Sequence, residues 1–324
     1  VYLDTINWYI VAQESTAATM FENGELDQYQ PTGDYAIKFA KEAEEGKYQY
    51  MVTDYPGTTG LRFNFINGGT SGLMSNVKIR KAISYSIDRE EMIDAVYGRY
   101  NPAYSYVAPA ITFNGSSYRS QVGEIIEDEY NEYVGDPDKI VALFQEGLDE
   151  LGVETPIEDI TLTYLTSGST TEGQAEREYI QQSLEETLGL TVELSVAGDT
   201  SLFIADRNEG NYDFFLGGWY SDYNDPLDFL YTNYTDAYGM SFGGYSNPDY
   251  DALADQLVGE TDMDKRLDIY KQMEQVLLLD DCAFAPIYYA TKQVLLQNWV
   301  KDYHTSSFGA SAEFIWTYID GKNQ

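Results

Sequence analysis

YDFFLGGWYSDYNDPLDFL, residues 212–230, joins an apolar run to a loop that packs one Trp, three Asp and a Pro close together. The run up to Trp219 reads as a strand, and Gly217 and Gly218 near its end let another backbone come close. A loop kept only for its shape needs turn residues, which Gly, Asn, Asp and Pro supply. An indole and phenols among carboxylates exceed that need and suggest that something is gripped there. The plainer alternative is that Trp219 plugs the core while Asp222 and Asp225 only make turns, and spacing alone leaves the two readings open.

Upstream, the chain alternates. DPDKIVALFQEGLDELG has Asp136 to cap a helix, Pro137 at its first position, Ile140, Leu143, Phe144, Leu148 and Leu151 at helical spacing, and Gly152 as the stop. ITLTYLT (160–166) reads as a strand, 172–188 as a helix closed by Gly189, TVELSVA (191–197) as a strand and 201–207 as a short helix. Strands alternating with helices predict right-handed crossovers and a mostly parallel sheet, an α/β fold. Ligands of such sheets bind outside the carboxyl ends of the strands, and GGWYSDYNDP follows the third of them.

Elsewhere NVKIRKAISYSIDREEMIDAVYG (76–98) predicts two helices broken near Asp88, with Asp88 and Glu91 spaced as a capping box. Residues 261–281 predict a further helix, and APIYYATKQVLLQNWV an apolar strand entered at Pro286. The opening VYLDTINWYI reads as an internal strand, so the start is expected to be a cut in a longer chain. With 54 acidic and 19 basic side chains the formal net charge is -35, a field that repels phosphate backbones and anionic membrane surfaces. Nucleic acid is therefore excluded as a partner. One cysteine, Cys282, and one histidine, His304, leave no metal ligand set of the usual kind, and Cys282 is expected to be an inert core thiol. Neither metal nor cofactor is expected.

In order and spacing, NVKIRKAISYSIDREEMIDAVYGRYNPAYSYVAP, FFLGGWYSDYNDPLDFL, YSNPDYDALADQL and DKRLDIYKQMEQVLLLDDCAFAPIYYATKQVL resemble the extracytoplasmic solute-binding proteins of peptide ABC importers, the oligopeptide- and dipeptide-binding group. The resemblance runs over nearly the whole chain, without the lipobox or signal sequence and the first part of lobe one that such proteins carry. It implies a two-lobed periplasmic-binding-protein-like fold: residues 1–104 in an incomplete lobe one, 105–290 as lobe two with a mostly parallel sheet, and 291–324 returning to lobe one. It implies a peptide ligand, the membrane permease of an ABC importer as partner, a monomer, and a place outside the cytoplasm, at the cell surface through a lipid anchor or in a periplasm.

The same resemblance assigns the site. Gly218 and Tyr220 match backbone positions that pair with the ligand as an added strand, with Trp219 and Tyr223 beside them. Asp222 matches the aspartate that neutralises the ligand's α-amino group. Arg207 stands where some oligopeptide binders hold an arginine for the terminal carboxylate, its plainer role being to cap its own helix, and Leu216 replaces a second arginine of enteric members. Tyr104, Tyr106, Tyr288 and Tyr289 fall at the two crossovers as hinge packing. Rival readings are the same fold holding an oligosaccharide, a nickel chelate or a signalling peptide, and, more distantly, a glycoside hydrolase using Asp222 and Asp225. An amine-anchoring aspartate favours peptides, because a neutral sugar carries no ammonium. No nucleophile-and-base set can be named, so no catalysis is expected.

Overall fold

The computed structural model describes residues 2–168, 170–237, 242–308 and 312–322. Residues 2–13 form no strand, contrary to the expectation for the opening stretch. Their backbone pairs with no sheet, and Trp8 and Ile10 stand in solvent, although Trp8 touches Phe314 edge-on. Then come α1 (Glu14–Glu22), β1 (Gln28–Tyr29), α2 (Gly33–Glu44) and the long β2 (Gln49–Phe63).

The predicted helix pair appears as α3 (Val77–Tyr85) and α4 (Arg89–Met92), the latter extended by a π turn to Tyr97. The break lies at Asp88, whose carboxylate accepts the Glu91 amide at 3.0 Å. After β3 (Asn101–Pro102), a small hairpin of β4 (Thr112–Phe113) and β5 (Ser116–Ser117) leads through α5 (Tyr118–Val122) and α6 (Glu127–Tyr133) into the alternating region. There α7 (Pro137–Leu151) is capped by Asp136 and stopped by Gly152 at φ 68°, a left-handed conformation that only glycine adopts without strain. β6 (Thr161–Ser167), α8 (Thr171–Leu188), β7 (Thr191–Ala197), α9 (Thr200–Glu209) and β8 (Phe214–Tyr220) follow as read from the sequence. The rest comprises α10 (Pro226–Leu230), α11 (Pro248–Gln256), α12 (Met263–Gln275), the long β9 (Phe284–Leu296) and a ribbon of β10 (Val300–Lys301) with β11 (Tyr318–Ile319).

One mixed sheet runs β1-β9-β2-β8-β6-β7, with β3 also on β9. β6 pairs parallel with β7 and β8, as the crossovers require, while the strands from the rest of the chain add antiparallel: β2 to β8 and β9 to β2. The three-strand crossover unit is thus parallel and its extension is not. β2 and β9 are the two long strands, and each passes from one core to another. At one end Leu295 packs with Phe21, Phe39 and Tyr48, and Val294 and Leu296 with Val300 and Tyr303 on the opposite face. At the other end Leu61, Phe63, Phe284 and Ala285 join the large core.

Ile79, Ile83, Met92 and Tyr97 lie in the same large core as Ile140, Phe144 and Tyr164. Fully buried Arg89 ties the region together, its Nε donating to Pro286 O at 2.7 Å and to Ala103 O at 3.1 Å. α7 packs on α3, and β2 runs from the small cores to the large one. Tyr104, Tyr106, Tyr288 and Tyr289 are all buried, and Tyr288 stacks on Tyr100 with ring centroids 4.3 Å apart. Cys282 is buried too, and burial pushes its thiol up to about 11.

Candidate ligand-binding site

The carboxyl end of β8 lies against β2, with Gly218 opposite Thr59 and Tyr220 opposite Gly57. A Cβ on Gly218 would stand 2.3 Å from Thr58 O, and one on Gly57 would meet the Tyr220 ring at 2.3 Å. Gly218 therefore allows the close backbone approach expected of it, Gly217 faces the Phe215 ring instead, and Gly57 lets the Tyr220 ring lie across β2. Gly218→Ala is expected to destabilise the chain by about 1–3 kcal/mol, the usual effect of forcing a methyl into packed space. A chemical melt with an unchanged midpoint would contradict this close approach.

Beyond β8 most of the polar groups serve the loop itself. Asp225 caps α10 by accepting the Leu227 amide at 2.8 Å, and it also accepts the Tyr270 hydroxyl at 3.0 Å. Asn224 exchanges two hydrogen bonds with Thr112. Asp228, buried, accepts the Trp219 indole N–H at 2.7 Å and the Asp222 amide at 3.0 Å. Trp219 is half-buried and packs on the large core, and Asp225 is bonded within the loop. Asp222 differs. That carboxylate is exposed and accepts no hydrogen bond among the described residues, although the loop around it is pinned. Tyr220 and Tyr223 flank it with roughly half of each side chain exposed, at 46% and 50%.

Arg207 lies on the last turn of α9, next to Tyr212 ahead of β8. The Trp219–Tyr223 loop is at the other end of β8, roughly 20 Å away at the usual rise per residue. Among the described residues, then, the structure brings together Gly218, Trp219, Tyr220, Asp222 and Tyr223, and places Arg207 apart from them. Sequence reasoning missed Asp228, the loop's internal acceptor. Its signal was present: it stands three residues after the capping Asp225, the spacing of a capping box.

A cavity of ≈ 380 Å³ opens beside Tyr220, between the crossing strands and the segment ahead of α2. Its lining includes Arg99, which makes a bidentate pair with Glu172 of α8. One turn further along α8, Glu176 accepts the Tyr97 hydroxyl, and burial raises its carboxyl to about 7 from 4.5, against the pull of that hydrogen bond. Because the folded chain holds this proton more tightly than the unfolded one, the stability it contributes is complete below about 4.5 and is lost as pH rises through about 7. Glu176→Gln is expected to flatten that slope and to raise the melting midpoint at pH 8 by roughly 4 °C or more. An unchanged pH profile between 4 and 8 would assign the proton to another group.

The fold and site define a class: an α/β chain in which two long strands run from two small cores to a large one, and a pinned loop following Tyr220, which lines a cavity, presents an exposed carboxylate. Residues 1–241 match the model of the bacterial extracellular solute-binding proteins, family 5, middle region. The chain belongs to that family. It is 29% identical to the dipeptide-binding protein DppE of Bacillus subtilis over 92% of its own length, and 28% identical to the oligopeptide-binding protein OppA of the same organism over 93%. Among solved structures it resembles Listeria monocytogenes OppA bound to peptide (28% identity, TM-score 0.75), covering 96% of this chain and 57% of that one. It also resembles the pheromone receptor PrgZ (26%, TM-score 0.73), over 96% of this chain and 57% of that one. The chain spans about half the length of the curated relatives it matches, 51% for DppE.

Proposed function

We propose that the chain is part of an extracytoplasmic protein that binds peptides in a cleft between two lobes and delivers them to the permease of an ABC importer. The observation that carries this reading is Asp222: an exposed carboxylate without a hydrogen bond among the described residues, on a loop whose other two aspartates are both committed. A peptide's α-ammonium is the partner such a group suits. Ligand backbone would add to the sheet at Gly218 and Tyr220, with Trp219 and Tyr223 as walls. The lobes would exchange chain within Gly57–Gly60 of β2 and Pro286–Ala290 of β9, where the sheet is bulged and two glycines admit close contacts. Lobe one would then hold the small cores and lobe two the large one. Arg207, remote from the loop, would act in its own helix.

The relatives supply the class of ligand: DppE is named for dipeptides, OppA for oligopeptides, and the Listeria protein is described with peptide bound. No described helix is long and apolar enough to cross a membrane; the reading places the protein outside the cytoplasm, at the cell surface through a lipid anchor or in a periplasm. The charge of -35 supports a monomer that avoids nucleic acid. Catalysis is not part of the reading, since Asp225, the second carboxylate a glycoside hydrolase would need, is tied to Leu227 and Tyr270. Native mass spectrometry of the full-length protein as purified is expected to release peptide masses, and prolonged incubation with those peptides to return them intact. Oligosaccharide or nickel-chelate masses, or turnover that follows the protein through purification, would overturn it.

A further inference from the structure

Asp228 stands three residues after Asp225, the cap of α10, where an acidic side chain ordinarily reaches back to the amide of the capping residue. Here the Asp225 amide donates instead to Tyr223 O at 3.0 Å, and the Asp228 carboxylate turns away from its own helix. A single oxygen, Oδ2, accepts both the Trp219 indole N–H at 2.7 Å and the Asp222 amide at 3.0 Å. Asp228 is 7% exposed and makes no ion pair among the described residues. A charge buried without a cation is costly, and helix capping, which Asp225 already performs, does not call for it. What a charged acceptor offers is a firmer hold on its two donors than a neutral one has. The loop between those donors is fastened elsewhere too. The Ser221 amide donates to Pro56 O of β2 at 2.7 Å, the Ser221 hydroxyl to Tyr223 O at 2.6 Å, and Asn224 is tied to Thr112. The backbone is thus fixed on both sides of Asp222, whose carboxylate stays exposed. The Tyr223 hydroxyl is held above its ordinary value by burial first and then by the charges of Asp228, Asp225 and Asp222, so all three carboxylates act on one side of this loop.

We propose that Asp228 is a positioning residue for the ligand's amino terminus: by holding the Trp219 indole and the Asp222 amide on one oxygen, it sets the anchoring carboxylate and the aromatic wall beside it in a single geometry. It acts through Asp222 and does not itself touch the ligand. This rests on the reading of Asp222 as the amine anchor and deepens it. An anchor fixed before the ligand arrives gives up little freedom on binding, whereas a carboxylate on a loose loop has to be ordered by the ligand, which lowers affinity. Trp219 packs on the large core, so the same oxygen also ties the position of Asp222 to the rigid part of the fold.

The test is calorimetric titration of the full-length protein with trialanine and N-acetyl-trialanine, in wild type, Asp228→Ala, Asp228→Asn, Asp222→Asn and the double variant Asp222→Asn/Asp228→Ala, with circular dichroism to verify folding. Asp228→Ser, which is too short to reach both donors, is read in the same way should Asp228→Ala not fold. Asp228→Ala is expected to weaken trialanine roughly tenfold, as for loss of one hydrogen bond that holds the anchor, and to weaken the acetylated peptide far less. Asp228→Asn, whose amide oxygen keeps an acceptor for the same donors, is expected to recover part of the loss. In the double variant the added Asp228→Ala should move the two peptides alike, because there is no longer a charged anchor to position. A purely structural role would lower both peptides equally in every background, and that result, or unchanged binding of trialanine to Asp228→Ala, would overturn the proposal. A further loss confined to trialanine in the double variant would overturn it as well, since Asp228 would then act on the ammonium directly. If Asp222→Asn still discriminates between the two peptides in any of these cases, the anchor reading survives. Failure of Asp222→Asn to discriminate, or of wild type to bind either peptide, overturns both.

Discussion

Glu274→Gln is expected to lower the stability of the chain by about 3–5 kcal/mol, the cost of stranding one buried charge after its partner is removed. Glu274, on α12, is wholly buried and uses both carboxylate oxygens. One accepts the backbone amides of Tyr106 and Val107 at 3.0 and 2.9 Å, and the other accepts the Tyr118 hydroxyl at 3.0 Å and a guanidinium N–H of Arg119. A glutamine keeps the shape but turns one accepting oxygen into a donor and leaves Arg119, itself 7% exposed, without its counter-ion. Because the two amides belong to the segment that leaves β3, the loss should also loosen the neighbourhood of the crossing strands. Equilibrium unfolding in urea measures it, and Glu274→Gln combined with Arg119→Met should recover much of the deficit, since it removes the stranded charge and keeps an amide oxygen to accept the Tyr106 and Val107 amides. A deficit under about 1 kcal/mol for Glu274→Gln would mean that the Arg119 charge is compensated by other groups.

Much of the fold was legible because its elements carry local signals. Helix α7 announces itself through Asp136, Pro137 and Gly152, and the capping geometry found is the one those residues suggest. The parallel unit followed from strict alternation of strand and helix, and the loop after β8 from its position. What escaped was set by partners distant in sequence. Residues 76–98 show an apolar helical face in sequence but not its partner, which in the structure is the large core shared with Ile140 and Phe144 of α7. β2 was not singled out, because Asp54 and Pro56 interrupt its apolar run and its pairing with β9 depends on residues more than 200 positions away. The opening stretch has the composition of a strand, yet composition does not provide a sheet edge, and among the described residues none pairs with it.

The site divides along the same line. Which aspartate is free could not be read from YSDYNDPLD, since all three look alike in a loop; the structure separates them by their hydrogen bonds, with Asp225 on Leu227 and Tyr270, Asp228 on Trp219 and the Asp222 amide.

The central claim is that Asp222 anchors a peptide's amino terminus. Asp222→Asn changes charge and not shape at an exposed position, so folding should be unaffected. A charge-assisted hydrogen bond contributes about 1.5–3 kcal/mol, and each 1.4 kcal/mol is about tenfold in affinity. The decisive measurement is calorimetric titration of the full-length wild type and Asp222→Asn with trialanine and N-acetyl-trialanine. The account predicts that the substitution weakens trialanine roughly tenfold to a hundredfold and weakens the acetylated peptide far less. Equal losses for the two peptides, or no loss for either, would contradict it and return Asp222 to the turn in which it sits.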